Sequence, residues 1–548
     1  MAKKVFYDDD ARRRVLGGAK ALYDAVKVTY GPKGNNVVIA KGYGGPTVTH
    51  DGVTVAESIE LPDVDDETLG YKVGADLIKQ AAKNLNKSAG DGTTTVTVLT
   101  YQILKEANRL IAAGHSPQEL RRGIESAGIE VVKALEKSAE SIEGKSDRVA
   151  EVATISAGDA VIGKLVAEAI GAVGKDGVVT VEAGQGLELE SEVVEGFNLD
   201  KGWTSPFFVT DSNRQEAVYE KPAIVITDGK ISSAQDFLPL IEKLVQAGRK
   251  DIVLIADEID GEVLSVLILN KLKGVLNTVA VKAPSYGDRR KEILEDIAVL
   301  TGAEVISAER GMSFETVDLS SVGTARKVIV GKDETTIIEG AGKPSAVKAR
   351  IAQINAQAEV ATSDYDGEQY TKRAAALGGK VAVIKVGGAT ETEIDEKKYR
   401  VDDAVAATKA ALAGGIVAGG GVTLVNLAAK LDTRGTDSFS AGRRILQDAL
   451  KQPFLQITKN AGLNSEALLA QVEAAKSGMG INVMNSEAGL VDVKKAGVID
   501  PARVTRDAVQ NAVSIASTAA TMGALVVDIP ENAESMSGGG MPGGMGMM

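Results

Sequence analysis

Apolar residues recur every three to four positions through about the first 135 residues, broken by glycine turns, and predict a mainly helical region. Ala11 to Val28 carries an amphipathic pattern that ends at Thr29-Tyr30-Gly31-Pro32-Lys33-Gly34. The β-branched runs Val37 to Ile39 and Thr47 to Thr49 predict a hairpin. Helical spacing returns over Tyr71 to Leu85, Thr95 to Ala112 and Pro117 to Ser138. Val178 to Val181 reads as a strand, and the glutamate-rich stretch Glu182 to Glu195 alternates in part.

The middle of the chain has another pattern. Ile224 to Thr227, Ile252 to Ile255 and Thr278 to Val281 are continuous apolar runs of strand length. Helical segments follow each of them, at Ala234 to Ala247, Gly261 to Leu272 and Arg289 to Leu300. Such alternation predicts parallel βαβ units buried on both faces, and hence a separate α/β domain. Ala346 to Glu359 and Gln369 to Ala376 predict a pair of surface helices, and Val381 to Val386 a strand. From Val401 the helical character of the first region returns. The chain therefore leaves a helical domain, builds other modules and comes back.

Length and composition narrow the classes. At 548 residues the chain has room for three to four domains. Aromatics make up 4% and there are 60 glycines, so aliphatic residues must fill the cores and many turns need glycine. A net charge of −13 argues against nucleic acid and against an anionic membrane surface. The absence of cysteine excludes disulfides, thiolate catalysis and cysteine-ligated metals. His50 and His115 are the only histidines, too few for a multi-histidine metal site. The N-terminal residues lack the apolar core of a signal peptide, and no stretch is apolar enough to span a membrane, so the expected location is cytoplasmic. Ser535 to Met548, mostly Gly and Met, reads as a disordered tail.

The densest candidate chemistry is Gly90-Asp91-Gly92-Thr93-Thr94-Thr95. Glycines allow close backbone approach to a charged ligand, hydroxyls donate to phosphate oxygens, and one carboxylate can hold Mg2+. A phosphate loop and a plain turn before a Thr-capped helix both fit these six residues. No GxxxxGK[ST] pattern occurs. The nearest string, Gly340-Ala341-Gly342-Lys343-Pro344-Ser345, has the wrong spacing and no predicted strand before it. Thr29 to Gly34, Asp51-Gly52, Asp402-Asp403 at a predicted helix start, and Gly419-Gly420-Gly421 complete a scattered set of weak ligand-contact candidates.

Taken in order, Val26-Lys27-Val28-Thr29-Tyr30-Gly31-Pro32-Lys33-Gly34-Asn35-Asn36-Val37-Val38, Ala89 to Thr95, Val281-Lys282-Ala283-Pro284-Ser285-Tyr286-Gly287-Asp288-Arg289-Arg290, Arg400-Val401-Asp402-Asp403-Ala404 and Val417-Ala418-Gly419-Gly420-Gly421 resemble group I chaperonins of the GroEL type. The likeness runs through essentially the whole chain, including the Gly/Met tail. It implies a multi-domain fold: a discontinuous, mainly α equatorial ATPase domain (1–137 and 415–530), a small α+β intermediate domain (138–195 and 380–414), an α/β apical domain (196–379) and a tail (531–548).

The resemblance further implies ATP and Mg2+, with K+ as an optional second ion. It implies a homo-oligomer of two stacked seven-membered rings, a small GroES-type co-chaperonin and unfolded client polypeptides. It places Thr29, Tyr30, Gly31, Pro32, His50, Asp91, Gly92, Thr93, Thr94, Thr95, Gly420, Asn482 and Asp500 around the nucleotide. Asp91 would hold the metal, Asp403 would orient or activate the attacking water with Asp51 nearby, and Asp500 would meet the ribose. Trp203, Phe207, Phe208, Leu238, Ile241, Leu264, Ile268 and Leu269 take the places of client-binding residues, although their pattern alone reads as core.

The chain departs from the family at His50, where Lys or Asn is usual, at Ala413-Gly414, which replaces an acidic pair, and at Lys87, which replaces an acid. The stretch between Asn482 and Asp500 is also slightly longer than the family pattern. Two other classes remain open on the residues alone: a small-molecule phosphotransferase with a separate substrate domain, and a scaffold with vestigial nucleotide binding.

Overall fold

The computed structural model describes residues 3–40, 46–61, 67–175, 177–184, 186–211, 214–361 and 363–529. The Gly/Met tail at 531–548 and the side chain of Lys87 lie outside the described residues. The chain forms two units, one of Met1–Gly171, Val181–Glu190 and Lys385–Met548, the other of Ala172–Thr180 and Ser191–Ile384.

The first unit is built from long helices, among them Asp8–Val26, Tyr71–Ala89, Thr93–Ala112, Pro117–Ser138, Ser438–Ala449 and Ala502–Ala520. Their inward stripes supply one core, with Leu22, Ile78, Leu85, Leu99, Ile103, Leu120 and Ile124 fully buried. Part of the glycine surplus goes into a helix crossing. Gly123 and Gly442 let Pro117–Ser138 and Ser438–Ala449 approach so closely that a Cβ at either would lie 2.1 Å from Phe439 O or 2.2 Å from Leu120 O. Val37–Ile39 and Thr47–Thr49 pair antiparallel, with Val38 opposite Val48. Lys3–Tyr7 pairs antiparallel with Ala524–Asp528, tying the described ends of the chain together.

The second unit contains the parallel module that the apolar runs predict. Asn277–Lys282, Asp251–Ala256 and Ala223–Thr227 are adjacent parallel strands, with Val279 beside Val253 and Ile224 beside Val253. Helices Ala234–Gln246, Gly261–Leu272 and Gly287–Thr301 connect or follow them. A helix pair, Pro344–Glu359 and Asp364–Leu377, is fastened to Gly287–Thr301 through Asp296, which is only 2% exposed. Arg350 Nε donates to Asp296 Oδ1 at 2.7 Å and Arg373 Nε to Asp296 Oδ2 at 2.9 Å, so this buried charge is matched from both helices.

Two local expectations are corrected. Strand Thr335–Gly340 does precede Gly340-Ala341-Gly342, and helix Pro344–Glu359 follows. The glycines there serve packing, since a Cβ on Gly342 would lie 2.0 Å from Val299 O. Asp402-Asp403 opens no helix: both sit mid-way in Glu391–Gly414, whose N-cap is Thr390. Ala413-Gly414 forms the last turn of that helix.

Candidate nucleotide site

The first unit encloses a cavity of about 750 Å3. Its lining gathers Thr29, Tyr30, Gly31, Pro32, His50, Asp51, Asp91, Gly92, Thr93, Thr94, Thr95, Asp403, Gly420, Asn482 and Asp500. These residues run from Thr29 to Asp500 in the sequence, and local structure explains how each arrives.

Helix Tyr71–Ala89 stops at Gly90 (φ +71), and Gly92 (φ +86) is the N-cap of Thr93–Ala112. Both turns need a left-handed backbone, which glycine adopts without strain. Because the cap is a glycine and not a threonine, no N-cap side chain accepts from the first-turn amides of Thr93–Ala112. Those amides and the helix dipole favour an anion there. Thr95 Oγ1 lies 2.6 Å from Tyr30 Oη, which binds the loop to the turn after the first helix. Asp91 Oδ1 accepts from Gly92 N at 2.5 Å and Oδ2 from Ser156 Oγ at 3.0 Å.

Asp51 is held as an N-cap. It accepts from Val53 N at 3.0 Å, Thr54 N at 2.8 Å and Thr54 Oγ1 at 2.6 Å. Asp500 comes in on strand Ile499–Pro501, paired antiparallel with Ile416–Ala418 so that Val417 faces Asp500. The glycines that follow make room: a Cβ on Gly419 would stand 2.8 Å from Asp500 Oδ1. At Gly420 (φ +65) a Cβ would meet Val498 Cγ1 at 3.5 Å, an ordinary contact, so there the left-handed backbone and not crowding calls for glycine. Asn482 caps a short 3-10 turn, its Oδ1 accepting from Met484 N at 3.0 Å.

So many carboxylates in one cavity disturb each other. Burial, then the charges of Asp51, Asp91 and Asp402, push the Asp403 carboxyl well above the usual carboxylate range. Burial, then the charge of Asp91, pushes Asp500 up to about 7. Asp91 is also raised, mainly by burial and against its hydrogen bonds from Gly92 and Ser156. His50 is shifted down by burial and then by the charge of Arg400, which favours neutral imidazole.

Sequence reasoning overlooked several lining residues. Thr154, Ile155 and Ser156 come from the end of helix Ser146–Ala157, and Glu396, Tyr399 and Arg400 from the helix that carries Asp403. A hydroxyl-rich helix end before Gly158 was the only signal for the first group. For the second, the i, i+3 spacing of Arg400 and Asp403 puts both on one helix face.

The second unit has a different concavity, an apolar groove of about 290 Å3 between helices Ala234–Gln246 and Gly261–Leu272. Leu238 (37% exposed) and Ile241 line it, together with Phe237, Val263, Val266 and Leu267. Leu269 (52% exposed) and Phe207 (63% exposed) are on the surface outside the groove lining. Leu264, Ile268 and Trp203 are partly buried against the core of the unit. Phe208 is fully buried in that core, so its ring offers no surface to a client as folded. Lys271 Nζ donates to the carbonyl oxygens of Phe208 and Val209, joining the Pro206–Phe208 turn to helix Gly261–Leu272.

With this geometry in place, the chain matches the family model described as the TCP-1/cpn60 chaperonin family over residues 22–529. The chain belongs to that family, whose members are chaperones in protein folding. Among the described residues, no helix is long and apolar enough to cross a membrane.

Proposed function

We propose that this chain is an ATP-driven folding chaperonin of the group I, GroEL type. It captures non-native polypeptides on apolar apical surface and releases them for folding in a ring-enclosed chamber. In this reading the chain has equatorial, intermediate and apical domains and assembles into two stacked seven-membered rings. A small GroES-type co-chaperonin closes the chamber, and the protein works in the cytoplasm.

The observation that carries the proposal is the convergence of Asp51, Asp91, Asp403 and Asp500 with the glycine turns at Gly31, Gly92 and Gly420 on one cavity. The donor set fits Mg2+. Asp91 offers a half-buried carboxylate beside a helix N-terminus. Among the described residues no group of three or more acidic or histidine side chains forms a metal cage, which suits an ion that completes its shell with phosphate oxygens and water. When bound, Mg2+ neutralises phosphate charge. K+ would be a second ion near the phosphates.

The residues divide the remaining work. Glycine turns and the Thr93–Ala112 amides cradle phosphate, Asp500 meets the ribose, and Asn482 lies toward the base. Asp403 orients the attacking water and accepts its proton, a task for which an upward-shifted carboxyl is suited. Asp51 stands beside it.

The test is joint. Purified protein should hydrolyse Mg-ATP slowly, suppress aggregation of a chemically denatured client, and appear as rings in negative stain. Absence of ATP turnover, or a monomeric particle, would overturn the proposal.

A further inference from the structure

We propose that Arg400 is a catalytic residue of this site, its guanidinium binding the terminal phosphate of ATP. The inference rests on the ATPase reading above and adds a residue to it.

The argument starts from charge. The cavity is lined by five carboxylate side chains, those of Asp51, Asp91, Glu396, Asp403 and Asp500. A triphosphate brings up to four more negative charges, and one divalent ion with one K+ beside it cancels only three. Among the lining residues Arg400 is the only Lys or Arg. His50 does not fill the gap, since burial first, and then the charge of Arg400, disfavours its charged form. The side chain of Arg400 is 36% exposed, enough to be reached by a ligand.

Position identifies the phosphate. Arg400 precedes Asp403 by three residues on helix Glu391–Gly414 and shares its face. The water that Asp403 orients must attack the γ-phosphorus in line, so a guanidinium on that face meets the terminal phosphate rather than the α-phosphate. In the hydrolysis step the water oxygen bonds to the γ-phosphorus and its proton passes to Asp403. The bond to the β–γ bridging oxygen breaks, and its electron pair leaves with ADP. Arg400 exchanges no proton; its planar donors neutralise the γ-phosphate oxygens throughout.

A holding partner is also present. Glu396, one turn earlier, accepts from Arg400 Nε at 2.5 Å and pairs with Nη2 at 2.5 Å. The γ-phosphate therefore competes with Glu396 for one guanidinium, and ADP, lacking that group, competes poorly. Arg400 thus distinguishes ATP from ADP.

The experiment uses the full-length assembled protein and measures equilibrium binding of Mg-ATP and Mg-ADP alongside turnover. Arg400→Met should weaken ATP binding about tenfold or more and leave ADP binding within about twofold, as expected for one charge-assisted contact. Its kcat should fall at least about tenfold. Arg400→Lys should recover part of the ATP affinity, and Glu396→Gln should raise it. A wild-type ratio of ATP to ADP affinity in Arg400→Met, or equal loss of both nucleotides, would overturn the inference while leaving the ATPase reading standing. Failure of the unaltered protein to bind or hydrolyse ATP would instead remove the reading itself.

Discussion

The cavity of the helical unit is lined by carboxylates on glycine turns, whereas the groove of the α/β unit is lined by Phe237, Leu238, Ile241, Val263 and Leu267. In the first, carboxylates are costly to place: burial, then mutual repulsion, pushes Asp403 and Asp500 upward, and a cation held beside them would relieve both. In the second, the same side chains that would hold a client also make the core, and they differ only in how much of each stays exposed. Residue type therefore marks a polar site much more sharply than an apolar one.

The largest test of that contrast concerns Phe208, which is fully buried. Phe208→Ser should destabilise the α/β unit by about 3–5 kcal/mol, read as a fall in its denaturant midpoint, because a core ring is lost and a hydroxyl is buried. A midpoint close to wild type would mean that the ring packs less tightly than its burial implies. Next, Asp403→Ala should lower ATP turnover about 100-fold and leave nucleotide affinity nearly unchanged. Unchanged turnover would end the role given to Asp403. Leu269→Ser tests the exposed side of the contrast. It should weaken capture of a denatured client about fivefold with no change in thermal midpoint or ATP turnover.

The last test is a pH dependence, which needs no client and no turnover assay. Asp500 titrates near 7 in the folded chain and near 3.8 ordinarily, so the native state holds a proton that the unfolded state has released. The resulting stability is fully present below about pH 4 and is lost as pH rises through 7. Asp500→Asn does not titrate there. Without nucleotide it should exceed the wild type by about 2 kcal/mol at pH 8, with the gap closing toward pH 4, after discounting for a side chain only half-buried. Parallel melting curves across that range would show a different source for the shift.

The elements of both units were legible because their periods are clear. The βαβ runs and the helices flanking Gly90 and Gly92 all appear close to where apolar spacing puts them. Asp403 was misplaced within its helix because paired aspartates are usual N-caps. The true start carried its own mark, Thr390-Glu391-Thr392-Glu393, in which Glu393 N donates to Thr390 Oγ1 at 3.2 Å and Ala389 N to Glu393 Oε2 at 3.0 Å. Phe207 and Phe208 were indistinguishable in sequence, since in a three-residue 3-10 turn neighbouring rings point to opposite environments. Arg400 stood in plain view beside Asp403, but its worth depends on the count of charges around it, which only the assembled cavity reveals.

Glu391–Gly414 is one uninterrupted helix, and Gly415 (φ +77) turns the chain at its end. Pivoted at Gly415, such a rod would act as a lever with a long arm. Asp403 stands about 17 Å along the axis from the Gly414 end, so a tilt of about 10° there sweeps its carboxylate through about 3 Å. That displacement is a full hydrogen-bond length, and Arg400, fixed to the same rod, makes the journey with it.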